Sequence, residues 1–147
     1  MFRNILVATD GSRLATRAVA AAIELARVAG ARLVAFYAPP TYPVPVYGDV
    51  LLHERSAASA YAEVAARDAA RVLGPVQRRA VAAGVACELV QATSDSPWQA
   101  ILAAAKAERA DLVVMASHGR RGMSALMLGS ETSKVLTHSK LPVLVVR

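Results

Sequence analysis

The most informative stretch of the chain is Asp111-Leu-Val-Val-Met-Ala-Ser-His-Gly119, which is followed after nine residues by Gly129-Ser130. An apolar run breaks here into a turn of small residues, as a buried strand does where it leaves a sheet. Gly119 and Gly129 bracket a short loop, and Ser130 opens a predicted helix. Glycines let backbone N–H groups approach phosphate oxygens, and a helix N-terminus adds N–H groups and a positive dipole. The layout predicts a phosphate-binding loop.

Apolar runs alternate with helical patterns along the rest of the chain. Ser12 is the predicted N-cap of the first helix, and Gly30 ends that helix. An interruption is predicted at Gly74-Pro75, inside the second helix. Unbroken apolar strands between helices predict a single α/β domain, residues 1–147, with a parallel sheet covered on both faces. The predicted strands lie at residues 5–8, 32–38, 86–91, 112–115 and 141–146, and the helices at 14–29, 53–84, 97–109 and 131–138.

Length and composition exclude several classes of protein. The chain has 147 residues, 55% of them hydrophobic, but no apolar run is long enough to span a bilayer. The N-terminus does not read as a signal peptide, and the single Cys87 cannot form an internal disulfide. These features predict a cytoplasmic protein without a membrane partner. The net charge is +6, but the arginines are scattered and aromatic residues make up only 5%, so no nucleic-acid partner is expected.

The predicted topology indicates where a ligand would bind. Ligands of open α/β sheets bind beyond the carboxyl ends of the strands, where the strand order reverses. If the first and fourth strands are neighbours, the turn at residues 8–11 faces the turn at residues 116–119. The first turn could then hold a base or ribose, and the second turn the phosphates. Asp10 could accept a hydrogen bond from adenine or ribose, or simply close an Asx-type turn at the first helix.

Three segments resemble the universal stress protein family. Ile5-Leu-Val-Ala-Thr-Asp-Gly-Ser12 is similar to the family's opening strand and turn. Ala116-x2-Gly119, nine residues and Gly129-Ser130 resemble its ATP-binding motif, Gly-x2-Gly-x9-Gly-Ser/Thr, and residues 141–147 resemble its closing strand. The resemblance covers the whole chain in order. It implies a doubly wound, five-stranded parallel sheet in the order 3-2-1-4-5, a homodimer and, in many members, bound ATP.

The resemblance also implies which residues contact the nucleotide. Contacts to adenine fall on Ala8, Thr9 and Asp10 after the first strand, and on Ala38 after the second. ATP with Mg²⁺ is the expected ligand, and no side chain is assigned as a catalytic residue or a metal ligand. The implied ribose and phosphate contacts come from the glycine loop and the start of the last helix: Met115, Ala116, Ser117, His118, Gly119, Arg120, Gly122, Gly129, Ser130, Glu131 and Thr132.

Two positions depart from the family pattern. Ala116 stands where the motif has its first glycine, and Glu131 follows Gly129-Ser130 where a small or aliphatic residue is common. We expect the Ala116 methyl group to crowd the nucleotide. We expect the Glu131 charge to oppose a triphosphate, with Mg²⁺ between the two.

Three functions remain open on the sequence. The leading interpretation is an ATP-binding regulatory protein of the stress response. The second is an enzyme that hydrolyses ATP. Its turnover would be slow, because no Walker loop is present and His118 is the only candidate base. The third is a dimeric interaction module that has lost nucleotide binding.

The homodimer is expected to form through the final strand, residues 141–146. An edge strand exposes backbone donors and acceptors that a second copy can pair. Pro142 lacks an N–H, which predicts that its side of the strand, together with the N–H of Leu144, faces outward.

Overall fold

The structure, a computed structural model, describes residues 1–41, 53–119 and 128–147. Strands and helices alternate throughout these residues, as the apolar pattern predicts. Most element ends lie within two residues of the predicted ones. The elements are β1 Asn4–Ala8, α1 Arg13–Ala29, β2 Arg32–Tyr37, α2 His53–Ala82, β3 Cys87–Gln91, α3 Pro97–Ala107, β4 Leu112–Ala116, α4 Ser130–His138 and β5 Val143–Val146.

The five strands form one sheet in the order β3-β2-β1-β4-β5, and every neighbouring pair is parallel. The predicted order 3-2-1-4-5 is therefore confirmed. β1 lies at the centre and pairs with β4 on one side, with Leu6 opposite Val113, and with β2 on the other. The direction of the chain across the sheet reverses between β1 and β4. The carboxyl ends of these two strands thus border the crevice where such sheets bind ligands.

Each face of the sheet has its own apolar core. Ile5 and Val7 point to the face covered by α1 and α2, whereas Leu6 points to the face covered by α3 and α4. All three side chains are fully buried. Successive residues of a strand point to opposite faces, so a central strand covered on both sides must be apolar throughout. The unbroken apolar runs in the sequence have this physical cause.

Both predicted ends of α1 are confirmed. The Ser12 hydroxyl accepts a hydrogen bond from the Ala15 N–H at 3.2 Å. At the other end, Gly30 has the left-handed φ of 63° that ends many helices, and its N–H bonds back to the last turn. These local signals position α1 directly after the turn at residues 9–11.

The predicted interruption at Gly74-Pro75 is wrong. α2 runs without a break from His53 to Ala82 and contains Pro75. A proline inside a helix removes one hydrogen bond and costs about 3 kcal/mol or more. Val72, Leu73 and Val76 on either side of it are buried against the sheet, and their packing holds the helix together across the proline.

The predicted direction of the β5 backbone is also wrong. The carbonyl of Pro142 accepts a hydrogen bond from the Val113 N–H at 3.0 Å, and that of Val146 accepts one from the Ser117 N–H at 2.8 Å. Because backbone groups alternate along a strand, Leu144 also faces β4. Proline is tolerated here because only its carbonyl enters the ladder, at the start of the strand. The outward backbone groups of β5 belong to Val143 and Val145.

Candidate functional site

The turn after β1 is held by its own hydrogen bonds. Thr9 is buried, and its N–H donates to the Phe36 carbonyl at 2.9 Å. Its hydroxyl accepts from the Gly11 N–H at 3.2 Å, and Asp10 Oδ1 accepts from the Ser12 N–H at 2.9 Å. Asp10 therefore closes an Asx-type turn, which is one of the two roles considered for it. This turn fixes the Asp10 side chain at the carboxyl end of the central strand.

Gly119 lies against that same Asp10 side chain. A Cβ atom added at Gly119 would lie 2.7 Å from Asp10 Oδ2, a distance that real Cβ contacts essentially never show. The loops after β1 and β4 therefore meet, as predicted for neighbouring strands. A residue with a side chain at position 119 would have to displace the carboxylate.

Gly129 packs closely on the backbone of the loop after β4. Its N–H donates to the Ser117 carbonyl at 2.8 Å. A Cβ atom at this position would lie 3.1 Å from His118 Cα and 3.2 Å from His118 Cβ. The two ends of the glycine loop are thus in backbone contact. Gly129 is also the N-cap of α4, whose first residue is Ser130, and a glycine has no side chain to cap the helix.

Thr132 fastens α4 to the end of β4. It is 2% exposed, and its hydroxyl donates to the Ala116 carbonyl at 2.9 Å. Ser117 is also buried, and its hydroxyl lies 3.2 Å from His118 Nδ1. Together with Gly129, these contacts hold the last residues before the glycine loop and the first turn after it as one unit.

We expect Thr132→Val to lower the free energy of unfolding by about 1–3 kcal/mol, because the Ala116 carbonyl would stay buried without its donor. Valine keeps the shape of the side chain. The matched control is Thr137→Val on the same helix, where the hydroxyl donates to the Ser133 carbonyl but is exposed; its effect should stay within about 0.5 kcal/mol. Urea unfolding of both variants measures the difference. Equal values would mean that the buried hydrogen bond contributes nothing.

Comparison with known proteins identifies the family of this chain. The sequence model of the universal stress protein family matches residues 1–147.

This chain belongs to the universal stress protein family.

Relatives of known sequence or structure agree with this membership. A universal stress protein of Thermus aquaticus is 38% identical over 149 residues and is matched over 100% of both chains. The crystal structure of a family member from Burkholderia pseudomallei has a TM-score of 0.68 and 33% identity, covering 97% of this chain and 93% of that one. A universal stress protein solved in complex with cAMP has a TM-score of 0.71 and 28% identity, covering 99% and 97%.

At the first departure from the family motif, Ala116, the structure does not support the expected crowding of the nucleotide. The Ala116 side chain is 7% exposed and packs in the apolar core on the α1 side of the sheet. Side chains alternate along β4, so Met115 points to the opposite core. The expected crowding of the nucleotide by this methyl group is therefore not supported, since the methyl group packs into the core.

The second departure, Glu131, makes contacts within the protein that were not predicted from the sequence. Glu131 Oε2 accepts a hydrogen bond from the Trp98 N–H at 2.9 Å, and Oε1 lies 3.0 Å from Lys134 Nζ. Both carboxylate oxygens of Glu131 therefore have partners within the protein.

Of the remaining predicted contact residues, two lie at strand ends in the described ranges and two lie outside those ranges. Ala8 ends β1 with 9% exposure, and Ala38 is half-buried one residue after β2, both at the carboxyl edge of the sheet. Arg120 and Gly122 lie outside the described residues. Within the described ranges, no group of three or more His, Cys, Asp or Glu could hold a metal ion. Nor is any helix in those ranges long and apolar enough to cross a membrane.

Two sets of side-chain hydrogen bonds near the carboxyl edge of the sheet were not predicted from the sequence. The Tyr37 hydroxyl donates to Asp68 of α2 at 2.6 Å. Thr41 donates through both its N–H, at 3.0 Å, and its hydroxyl to Asp95, which links the segments after β2 and β3. Polar residues directly after strand ends were the available signal, but their partners are distant in sequence. Cys87 begins β3 at the opposite edge, and burial raises the pKa of its thiol.

Proposed function

We propose that this universal stress protein binds ATP with Mg²⁺ between the carboxyl ends of β1 and β4, and acts as a cytoplasmic, homodimeric regulator of the stress response. The observation that carries the proposal is the contact between Gly119 and Asp10. It brings a glycine backbone against a polar side chain at the point where the strand order reverses, which is where such sheets bind ligands.

The two ends of the glycine loop support phosphate binding. Gly129 holds the two ends of the loop in backbone contact and begins α4 without a side-chain cap. The first N–H groups of a helix attract anions through their hydrogen-bonding capacity and through the helix dipole. We assign the phosphates to the loop, including Arg120 and Gly122, and to Ser130 and Thr132.

The turn after β1 supports an adenine nucleotide. Asp10 is a carboxylate acceptor at the strand end, and Ala8 and Ala38 are small residues beside it. A carboxylate suits the amino group of adenine, whereas guanine presents a carbonyl oxygen at the corresponding position. A family member that is 28% identical to this chain was solved with cAMP, which is also an adenine nucleotide.

The contacts of Glu131 change what we expect of Mg²⁺. Since its two oxygens bind Trp98 and Lys134, Glu131 is not assigned as a bridge to the metal. We propose that Mg²⁺ arrives bound to the phosphates of ATP. We expect any hydrolysis of ATP to be slow, because His118 is the only candidate base that the sequence offers near the phosphates.

We expect the purified protein to bind ATP at least tenfold more tightly than GTP, a difference of about 1.4 kcal/mol. Isothermal titration calorimetry with both nucleotides measures it. Mass spectrometry of any nucleotide released from the denatured protein provides an independent check. Equal affinities would contradict the adenine assignment. Absence of binding to either nucleotide would favour an interaction module that has lost its nucleotide site.

A further inference from the structure

The first turn of α3 lacks a cap of its own. Ser96 occupies the N-cap position but makes no side-chain cap hydrogen bond, and Pro97 has no N–H to donate. Trp98 therefore carries the first N–H of the helix that needs an acceptor. Its partner is Glu131 Oε2 at 2.9 Å, which belongs to α4 and lies 33 positions further along the chain. A carboxylate at a helix N-terminus is a favourable partner because the helix dipole is positive there.

The ring of Trp98 contacts the other end of α4. It stacks on His138, with the ring centroids 4.7 Å apart and the planes 28° apart. Glu131 and His138 are separated by about two helical turns, so they lie on one face of α4. Val135 lies between them and is fully buried. Trp98 thus touches both ends of the α4 face that packs on α3.

Glu131 also sits inside the segment that closes the glycine loop. Two residues before it, Gly129 contacts the backbone of His118. The next residue, Thr132, donates to the Ala116 carbonyl. The first turn of α4 is therefore tied to the loop after β4 by Gly129 and Thr132, and to α3 by Glu131. A shift of this turn on ligand binding would move the acceptor of the Trp98 N–H.

We propose that Glu131 is a positioning residue that couples the nucleotide site to α3, and that Trp98 changes its environment when the site is occupied. The coupling rests on the proposed nucleotide site, whereas the Glu131–Trp98 contact does not depend on it. Glu131 fixes the first turn of α4 in the geometry that receives the phosphates. Its removal weakens nucleotide binding, which is the opposite of the effect expected from charge repulsion.

The test uses the fluorescence of Trp98, the one tryptophan of the chain, together with calorimetry. In the nucleotide-free protein, Glu131→Ala should shift the Trp98 emission to longer wavelength and increase its quenching by acrylamide. Addition of ATP with Mg²⁺ should change the emission of the wild-type protein. In calorimetry, Glu131→Ala should weaken ATP binding about fivefold, the equivalent of a typical lost cap.

Two control variants separate the hydrogen bond from the charge. Glu131→Gln keeps an acceptor for the Trp98 N–H and should stay within about twofold of wild type in ATP affinity. Lys134→Ala removes the partly exposed ion pair but leaves the cap, and should have a similarly small effect because such pairs contribute little. Circular dichroism of each variant verifies that it is folded.

Different outcomes overturn different parts of the inference. Unchanged fluorescence of nucleotide-free Glu131→Ala would disprove the contact itself. A changed fluorescence with unchanged or tighter ATP binding would disprove the coupling. If the wild-type protein binds no ATP, the proposed function and the coupling both fail, and the nucleotide-free fluorescence still decides whether Glu131 caps α3.

Discussion

Gly129→Ala is expected to weaken ATP binding by at least tenfold, a loss of about 1.4 kcal/mol. The added methyl group would lie 3.1 Å from His118 Cα and 3.4 Å from the Ser117 carbonyl oxygen. These are mainly backbone atoms, so the contact cannot be relieved by rotating a side chain. The two ends of the glycine loop must separate instead, and the N-terminus of α4 moves with them.

Gly119→Ala provides an informative comparison. The closest atom to its added methyl group is Asp10 Oδ2, at the end of a side chain that can rotate away. We therefore expect the binding defect of Gly119→Ala to be smaller than that of Gly129→Ala, although the rotation would also break the hydrogen bond that Asp10 Oδ1 accepts from the Ser12 N–H.

A third variant controls for general loss of stability. Gly84 precedes β3 at the opposite edge of the sheet, has a φ of 72°, and has no atom within 4 Å of an added Cβ. Gly84→Ala should cost roughly 1–2 kcal/mol of stability through its left-handed backbone and leave ATP affinity unchanged. Calorimetry and urea unfolding on all three variants give the comparison. If Gly129→Ala binds ATP as tightly as Gly84→Ala does, the glycine loop does not form the phosphate site.

Val145→Pro is expected to convert the proposed homodimer to a monomer without unfolding it. β5 pairs with β4 on one side, and its other side has no neighbour among the described strands. By alternation from Pro142 and Val146, the N–H of Val145 points to that open side. Proline removes this donor and places its ring where a second copy would pair, and edge strands tolerate proline on their outer side.

Leu144→Pro is the matched control. The N–H of Leu144 points to β4, so proline there takes a hydrogen bond from the sheet itself. It should destabilise the fold by roughly 1–3 kcal/mol, the cost of leaving a buried carbonyl without its donor. Light scattering measures the mass of both variants, and urea unfolding measures their stability. A folded Val145→Pro protein that remains dimeric would show that the interface lies elsewhere.

Features that depend on neighbouring residues were easier to predict than contacts between distant ones. The strand runs, the N-cap at Ser12 and the end of α1 at Gly30 depend on residues close in sequence, and all three were predicted correctly. The contact between Glu131 and Trp98 was not predicted, because the two residues are 33 positions apart and meet only when α3 and α4 pack together. The meeting of Asp10 and Gly119 could be predicted because parallel strands that neighbour each other must end at the same edge.

The α/β class, the alternation of strands and helices, and the glycine positions of the candidate site could be read from the sequence alone. Burial on both faces demands continuous apolar runs, and caps and glycines act within a few residues, so these features are readable along the chain. Three other features come from contacts between distant elements: α2 continues through Pro75, Leu144 faces β4, and the Glu131 carboxylate caps α3. Each of these depends on which neighbour supplies packing or a hydrogen-bond partner, and that is set only when distant elements come together.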